Sequence, residues 1–262
     1  MTRDSSEPEF LIGVSLKMYF SHARTVEWAR AVGDICREHE ATTGGTTEVF
    51  VLPTFPSLPA VLDIDAPWGV GAQDLASADE GAFTGEVSGA ELAEIGCRFV
   101  EVGHAERRTL FGETEEVVAA KLDAAVRNGL VPVLCIGEHE RMPASDALAE
   151  CVEQVRSALA VAREKSHRGR IVVAYEPHWA IGAPAPASAD HIRDVCRDLP
   201  AALAGDAVIE RLDVLYGGSA GPGLLGQISD AVDGLFLGRF AHDPDAVRAI
   251  LDETVALSTT AR

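Results

Sequence analysis

The chain has 262 residues, 47% hydrophobic and 24% charged, the mix of a soluble globular protein long enough to bury a large core. Its formal net charge is −19, and so acidic a surface repels nucleic-acid phosphates and anionic lipid, so neither is expected as a partner. An anionic small-molecule ligand must then be held by local N–H groups, a helix N-terminus or one or two cations.

No run of 18 apolar residues exists to cross a membrane, and the polar start MTRDSSEPEF carries no apolar signal stretch. The five cysteines (Cys36, Cys97, Cys135, Cys151, Cys196) include no C-x-x-C pair, which fits reduced thiols and a cytoplasmic location. No linker or composition shift divides residues 1–262, so one domain is expected, with residues 1–9 as a flexible tail.

Eight short apolar runs follow in chain order: Leu11–Leu16, Glu48–Leu52, Gly69–Ala72, Phe99–Val102, Val131–Ile136, Ile171–Tyr175, Val214–Tyr216 and Gly234–Leu237. Several are apolar throughout, as in parallel strands covered on both faces. Helix signals lie between them. Ser88-Gly-Ala-Glu91 reads as a capping box, and Thr114 opens a stretch that Asn128-Gly129 closes. Ser188 caps the stretch before Leu199-Pro200, and Asp243-Pro244 sets a capping carboxylate before Pro at a first helical position. Eight strand–helix alternations predict a (β/α)8 barrel, with a doubly wound open sheet as the competing α/β arrangement.

A barrel predicts where chemistry sits, just beyond the strand C-termini. Lys17 follows the first strand, His104 and Glu106 the fourth, and Glu176 the sixth. A carboxylate can take a proton from carbon beside a carbonyl, a neutral imidazole can polarise that carbonyl, and an ammonium can stabilise the enediolate oxygen. Singly, each has a plainer meaning: a solvated lysine, a structural histidine, a strand terminator at Glu176-Pro177. Their shared position is what argues for chemistry. Glycines follow the last three strands, in Ala180-Ile-Gly182, Tyr216-Gly-Gly-Ser219 and Leu237-Gly238-Arg239. They permit close approach of backbone N–H groups to an anion, where barrels commonly bind phosphate, although each alone also suits an ordinary turn.

Other signatures are weaker. Gly221-PGLLG-Gly226 has the G-x-G-x-x-G spacing, but it lies late in the chain without the strand–helix units that a dinucleotide fold needs. His104-x-Glu106 has the H-x-E spacing of zinc deaminases, but no P-C-x-x-C follows. No metal and no cofactor is expected.

The segments Gly81-AFTGEVS-Ser88, Val102-GHAERR-Arg108 with Phe111-Gly-Glu113, Cys135-IGE-Glu138, Tyr175-EPHWAIG-Gly182 and Tyr216-GGS-Ser219 resemble, in order and spacing, the triosephosphate isomerase family. The resemblance runs from about residue 11 to 250. It implies a single (β/α)8 TIM barrel, a small phosphorylated sugar as substrate, and a homodimer with Gly81–Ser88 at the interface. It implies Lys17 as the substrate-binding lysine, His104 as electrophile, Glu176 as base and Glu106 as the acidic residue beside the electrophile. Gly182, Ser219, Gly217, Gly218 and Gly238 match the phosphate cradle.

Departures cluster at this site. Ser15 stands where the family has Asn, leaving room beside the reacting carbons. Ala183-Pro-Ala-Pro186 replaces the usual lid tip, and two prolines stiffen it. His178 replaces an aliphatic residue, either as a polar contact or as a tolerated change. Arg239 replaces a glycine and either contacts the phosphate or pairs with a carboxylate. Ala105 and Asp74 replace the Ser and Asn of the family motifs. Retained chemistry in altered surroundings implies an isomerase acting on another substrate, an erythrulose phosphate, with the triose phosphates as the alternative. A barrel that binds a sugar phosphate without turning it over is the non-enzymatic reading, though binding alone does not require the base.

Overall fold

The computed structural model describes residues 7–183 and 185–260. Its eight strands are β1 (Phe10–Ser15), β2 (Thr47–Leu52), β3 (Trp68–Ala72), β4 (Phe99–Val102), β5 (Val131–Ile136), β6 (Gly169–Tyr175), β7 (Ile209–Tyr216) and β8 (Gly234–Leu237). All pair in parallel, in chain order, and β1 pairs with β8 to close the barrel. The open-sheet alternative is thereby excluded.

Alternation along each strand sorts side chains into two cores. Leu11, Phe50, Phe99, Val133, Val172, Leu215 and Phe236 fill the interior, while their neighbours Ile12, Val49, Val100, Leu134, Val173, Val214 and Leu235 pack outward with the helices. The Phe50 and Phe99 rings stack with centroids 4.4 Å apart. They fit because β1 and β3 carry glycine opposite them: a Cβ on Gly13 would lie 2.2 Å from the Phe50 ring, and one on Gly69 would lie 2.4 Å from the Phe99 ring. Burying each phenylalanine contributes about 1.5–3 kcal/mol.

The helix signals hold. Ser88 Oγ accepts the Glu91 N–H at 3.1 Å and caps the helix Gly89–Glu94. Thr114 caps Glu115–Arg127, which ends at Asn128 with Gly129 at φ +73. Ser188 caps Ala189–Cys196, and the final helix begins at Pro244. The five cysteines are buried and free.

One boundary differs from expectation. β7 starts at Ile209, five residues before the apolar run Val214–Tyr216. Its first half carries charge that is neutralised at the barrel's lower end: Arg170 donates to Asp213 and Glu48, both at 2.7 Å, and Arg211 donates to Asp213 at 2.9 Å. Paired in this way, charged groups can enter a strand interior that hydrophobicity alone would not extend. At the other end, Glu9 N–H donates to Thr46 C=O at 2.8 Å; residues 1–6 of the expected tail lie outside the described residues.

Candidate active site

Continuing the inward register to and past the strand ends places Ser15 at the end of β1 and Lys17 after it, Glu176 after β6, Gly217 after β7 and Gly238 after β8 on one rim. They line a cavity of about 650 Å³ together with His104, Glu106, Gly182, Ser219 and Arg239. Of the residues the sequence nominates, Gly218 stands outside this lining; a Cβ there would meet the Tyr216 hydroxyl at 2.6 Å.

Lys17 has φ +48, a conformation L-residues rarely adopt. Gln73 holds it there, its amide donating to the carbonyls of Lys17 (3.0 Å) and Leu52 (2.9 Å). The ammonium then donates to Glu106 Oε1 at 2.7 Å. Burial pushes the Lys17 pKa down, but the Glu106 bond and the charges of Glu176 and Glu106 outweigh it, so the net shift is up and the group stays cationic. Burial likewise pushes Glu106 up, and Lys17 brings it net below the usual carboxylate range.

His104 ends β4 through Gly103, at φ +68, and caps the helix Ala105–Phe111: its Nδ1 accepts the Glu106 N–H at 3.1 Å. That bond occupies the Nδ1 lone pair, so the ring proton sits on Nε2. Nε2 lies 3.5 Å from Glu176 Oε2, and both atoms are buried without a hydrogen-bond partner. Two unsatisfied buried polar atoms in one cavity are costly unless something else fills the space between them.

Glu176 depends on two glycines. A Cβ on Gly217 would sit 2.6 Å from its Oε1, and one on Gly137 would sit 2.3 Å from its carbonyl oxygen. Gly217 therefore makes room for the carboxylate, a role distinct from any contact with an anion. Gly238, by contrast, faces open space, and a Cβ added there would meet no atom within 4 Å. Ser219 has φ +60, and its hydroxyl donates to the carbonyls of Ala180 (2.8 Å) and Ala183 (3.2 Å), tying down the loop after β6. Tyr216 completes the tie: its hydroxyl donates to Gly218 C=O (2.6 Å) and accepts the Ala187 N–H (2.9 Å). Pro184 lies outside the described residues.

The departures take definite places. Arg239 reaches the Gly182 carbonyl at 3.4 Å at the cavity edge. His178 turns to His139, with the two Nδ1 atoms 3.0 Å apart, and burial with its histidine neighbour pulls its pKa down to about 4. Asp74 joins a buried ion cluster with Lys121 (2.6 Å) and Arg107 (2.8 Å). The Gly221–Gly226 glycines form no dinucleotide turn: Gly223 N–H donates to Glu253, and the helix that opens there, Leu225–Ile228, is a single short turn.

Sequence reasoning misses Glu101. It lies inside the apolar run of β4, on the inward side with Phe99, and only 3% of its surface is exposed. Its Oε2 shares a 2.9 Å hydrogen bond with Ser15 Oγ, and its Oε1 lies 3.9 Å from both His104 Nε2 and Cys135 Sγ. A lone carboxyl at an inward position of a four-residue strand is the one signal that could have found it.

Residues 10–254 match the family model described as triosephosphate isomerase. The chain belongs to the triosephosphate isomerase family. It is 50% identical to the L-erythrulose-1-phosphate isomerase of Pectobacterium atrosepticum over 98% of this chain and 100% of that protein. It is 40% identical to the triosephosphate isomerase of Magnetococcus marinus, over 88% of this chain and 94% of the relative. It is 39% identical to the L-erythrulose-1-phosphate isomerase of Brucella abortus biovar 1, over 93% and 95%.

Proposed function

We propose that the chain isomerises L-erythrulose 1-phosphate to D-erythrulose 4-phosphate, with Glu176 as base, His104 as electrophile and Lys17 as the cation beside the carbonyl oxygen. The observation that carries the chemistry is the pair of unpartnered atoms, Glu176 Oε2 and His104 Nε2, 3.5 Å apart in the cavity. The substrate follows from two relatives bearing that name, at 50% and 39% identity.

The atoms balance without a cofactor. Glu176 takes the C3 proton, the C–H electrons form the C2–C3 double bond, and the C2 oxygen gains the charge. His104 Nε2–H and the Lys17 ammonium stabilise that oxygen. Through His104 the C3 hydroxyl proton moves to the C2 oxygen, leaving the charge on O3. Protonated Glu176 then delivers its proton to C2, and the carbonyl re-forms at C3. The phosphate lies toward Gly182, Ser219, Gly238 and Arg239, where N–H groups and one guanidinium supply the positive charge that the acidic surface lacks. The protein acts in the cytoplasm as a homodimer. Phe83 in the Gly81–Ser88 segment is 54% exposed, and Met18 beside Lys17 is 89% exposed, both apolar surfaces suited to a second copy.

The triose reading has its own support in the relative at 40% identity. Purified protein assayed side by side on L-erythrulose 1-phosphate and glyceraldehyde 3-phosphate separates the two. The four-carbon proposal expects the higher kcat/KM on the erythrulose phosphate, and a clear preference for the triose overturns it.

A further inference from the structure

The four-carbon substrate differs from a triose phosphate by a hydroxymethyl group on the reacting carbon, and something in the cavity must read that extra hydroxyl. Ser15 is placed to do so. It lines the cavity with Lys17, His104 and Glu176. Its hydroxyl is not independent, because Glu101 is bonded to it from below at 2.9 Å.

We propose that Glu101 and Ser15 form a specificity-determining relay: Glu101 is a positioning residue whose carboxyl O–H donates to Ser15 Oγ, so that the serine's own hydrogen turns into the cavity toward the substrate's terminal hydroxyl. This rests on the four-carbon reading above.

The burial of Glu101, only 3% exposed, supports the donor role against the pull of its neighbours. Glu176 after β6 repels a second negative charge nearby. His104 after β4, a hydrogen bond from Ser15 to the carboxylate form and Lys17 after β1 together outweigh that repulsion, while Cys135 on β5 brings only an S–H, which donates toward Oε1. Burial is the largest influence, and the net effect raises the Glu101 pKa, which favours the neutral acid. An ionised Glu101 would also oppose the enediolate charge forming beside His104, whereas the neutral acid leaves that charge to Lys17 and the imidazole. With Oε1 accepting from Cys135, the proton belongs on Oε2, the atom facing Ser15.

The pH sign follows. Below its raised pKa, Glu101 donates and Ser15 offers its hydrogen to substrate. As pH rises through that value, the carboxylate becomes an acceptor, draws the serine hydrogen inward, and the four-carbon reaction loses its donor.

The test compares wild type, Glu101→Gln and Glu101→Leu on L-erythrulose 1-phosphate and glyceraldehyde 3-phosphate across pH. Glutamine keeps a donor for Ser15; leucine keeps the volume and removes it. The expected result is a fall of roughly 10-fold or more in the tetrose-to-triose ratio of kcat/KM in Glu101→Leu. Glu101→Gln retains the wild-type ratio within about 3-fold, well inside the effect of one lost hydrogen bond. Wild type shows an alkaline loss of tetrose activity that Glu101→Gln lacks. If wild type prefers the tetrose but the ratio is unmoved in Glu101→Leu, or the alkaline loss persists in Glu101→Gln, the relay is wrong and the four-carbon reading stands. If wild type prefers the triose, both fall.

Discussion

Replacing Gly217 with alanine isolates what that glycine does. Gly217 is outside the set of positive-φ residues, so its backbone accepts a side chain without strain. The obstacle is Glu176, whose Oε1 and Cγ would lie 2.6 and 2.7 Å from the new methyl carbon. That is about 1 Å inside ordinary non-bonded contact, so the carboxylate must move by roughly that amount. A misplacement of about 1 Å from near-attack geometry costs roughly 100-fold in rate, or about 2.7 kcal/mol of barrier. Steady-state kinetics on L-erythrulose 1-phosphate read the effect, and it should fall on kcat with KM little changed. A kcat within about 3-fold of wild type, accompanied by a raised KM, would refute this reasoning and return Gly217 to the anion cradle alone.

Gly238→Ala makes the complementary case: its methyl enters open space where the phosphate is proposed to lie, so KM should rise by roughly 10-fold or more with the fold undisturbed, and an unchanged KM would remove Gly238 from the cradle. Phe83→Glu places a charge on an exposed apolar residue of the proposed interface and should halve the mass seen by light scattering; an unchanged dimer mass would exclude that segment as its core. At Glu113, burial raises the carboxyl pKa, but hydrogen bonds from Lys121 and Arg107, both at 2.5 Å, bring it net below the usual value. Its stabilisation is therefore present above the unfolded pKa of about 4.3 and lost as pH falls through the lower folded value. Glu113→Gln should lower stability by roughly 3 kcal/mol near neutrality, and the gap from wild type should narrow on acidification; a gap independent of pH contradicts the assignment.

The strands are legible because parallel strands covered on both faces are written as apolar runs, and the inward register carried past their ends names Lys17, Glu176, Gly217 and Gly238. What stays hidden shares one physical cause. Polar groups neutralised inside the barrel leave no hydrophobic signature, which conceals both the first half of β7, with Arg211 and Asp213, and Glu101 on β4. Gly217 reads as part of an anion cradle because sequence shows the glycine but not the side chain that needs its space. His178 is a partner of His139, a contact across separate loops that neither residue's local sequence announces.

The central claim is that the Glu176 carboxylate moves the proton. Turnover of L-erythrulose 1-phosphate by Glu176→Gln, whose folding is checked by its melting curve, tests it directly, because the amide keeps the shape and loses the basicity. The expected result is a loss of roughly 10²–10⁴-fold in kcat with the fold intact. A well-folded variant retaining wild-type kcat would contradict the account.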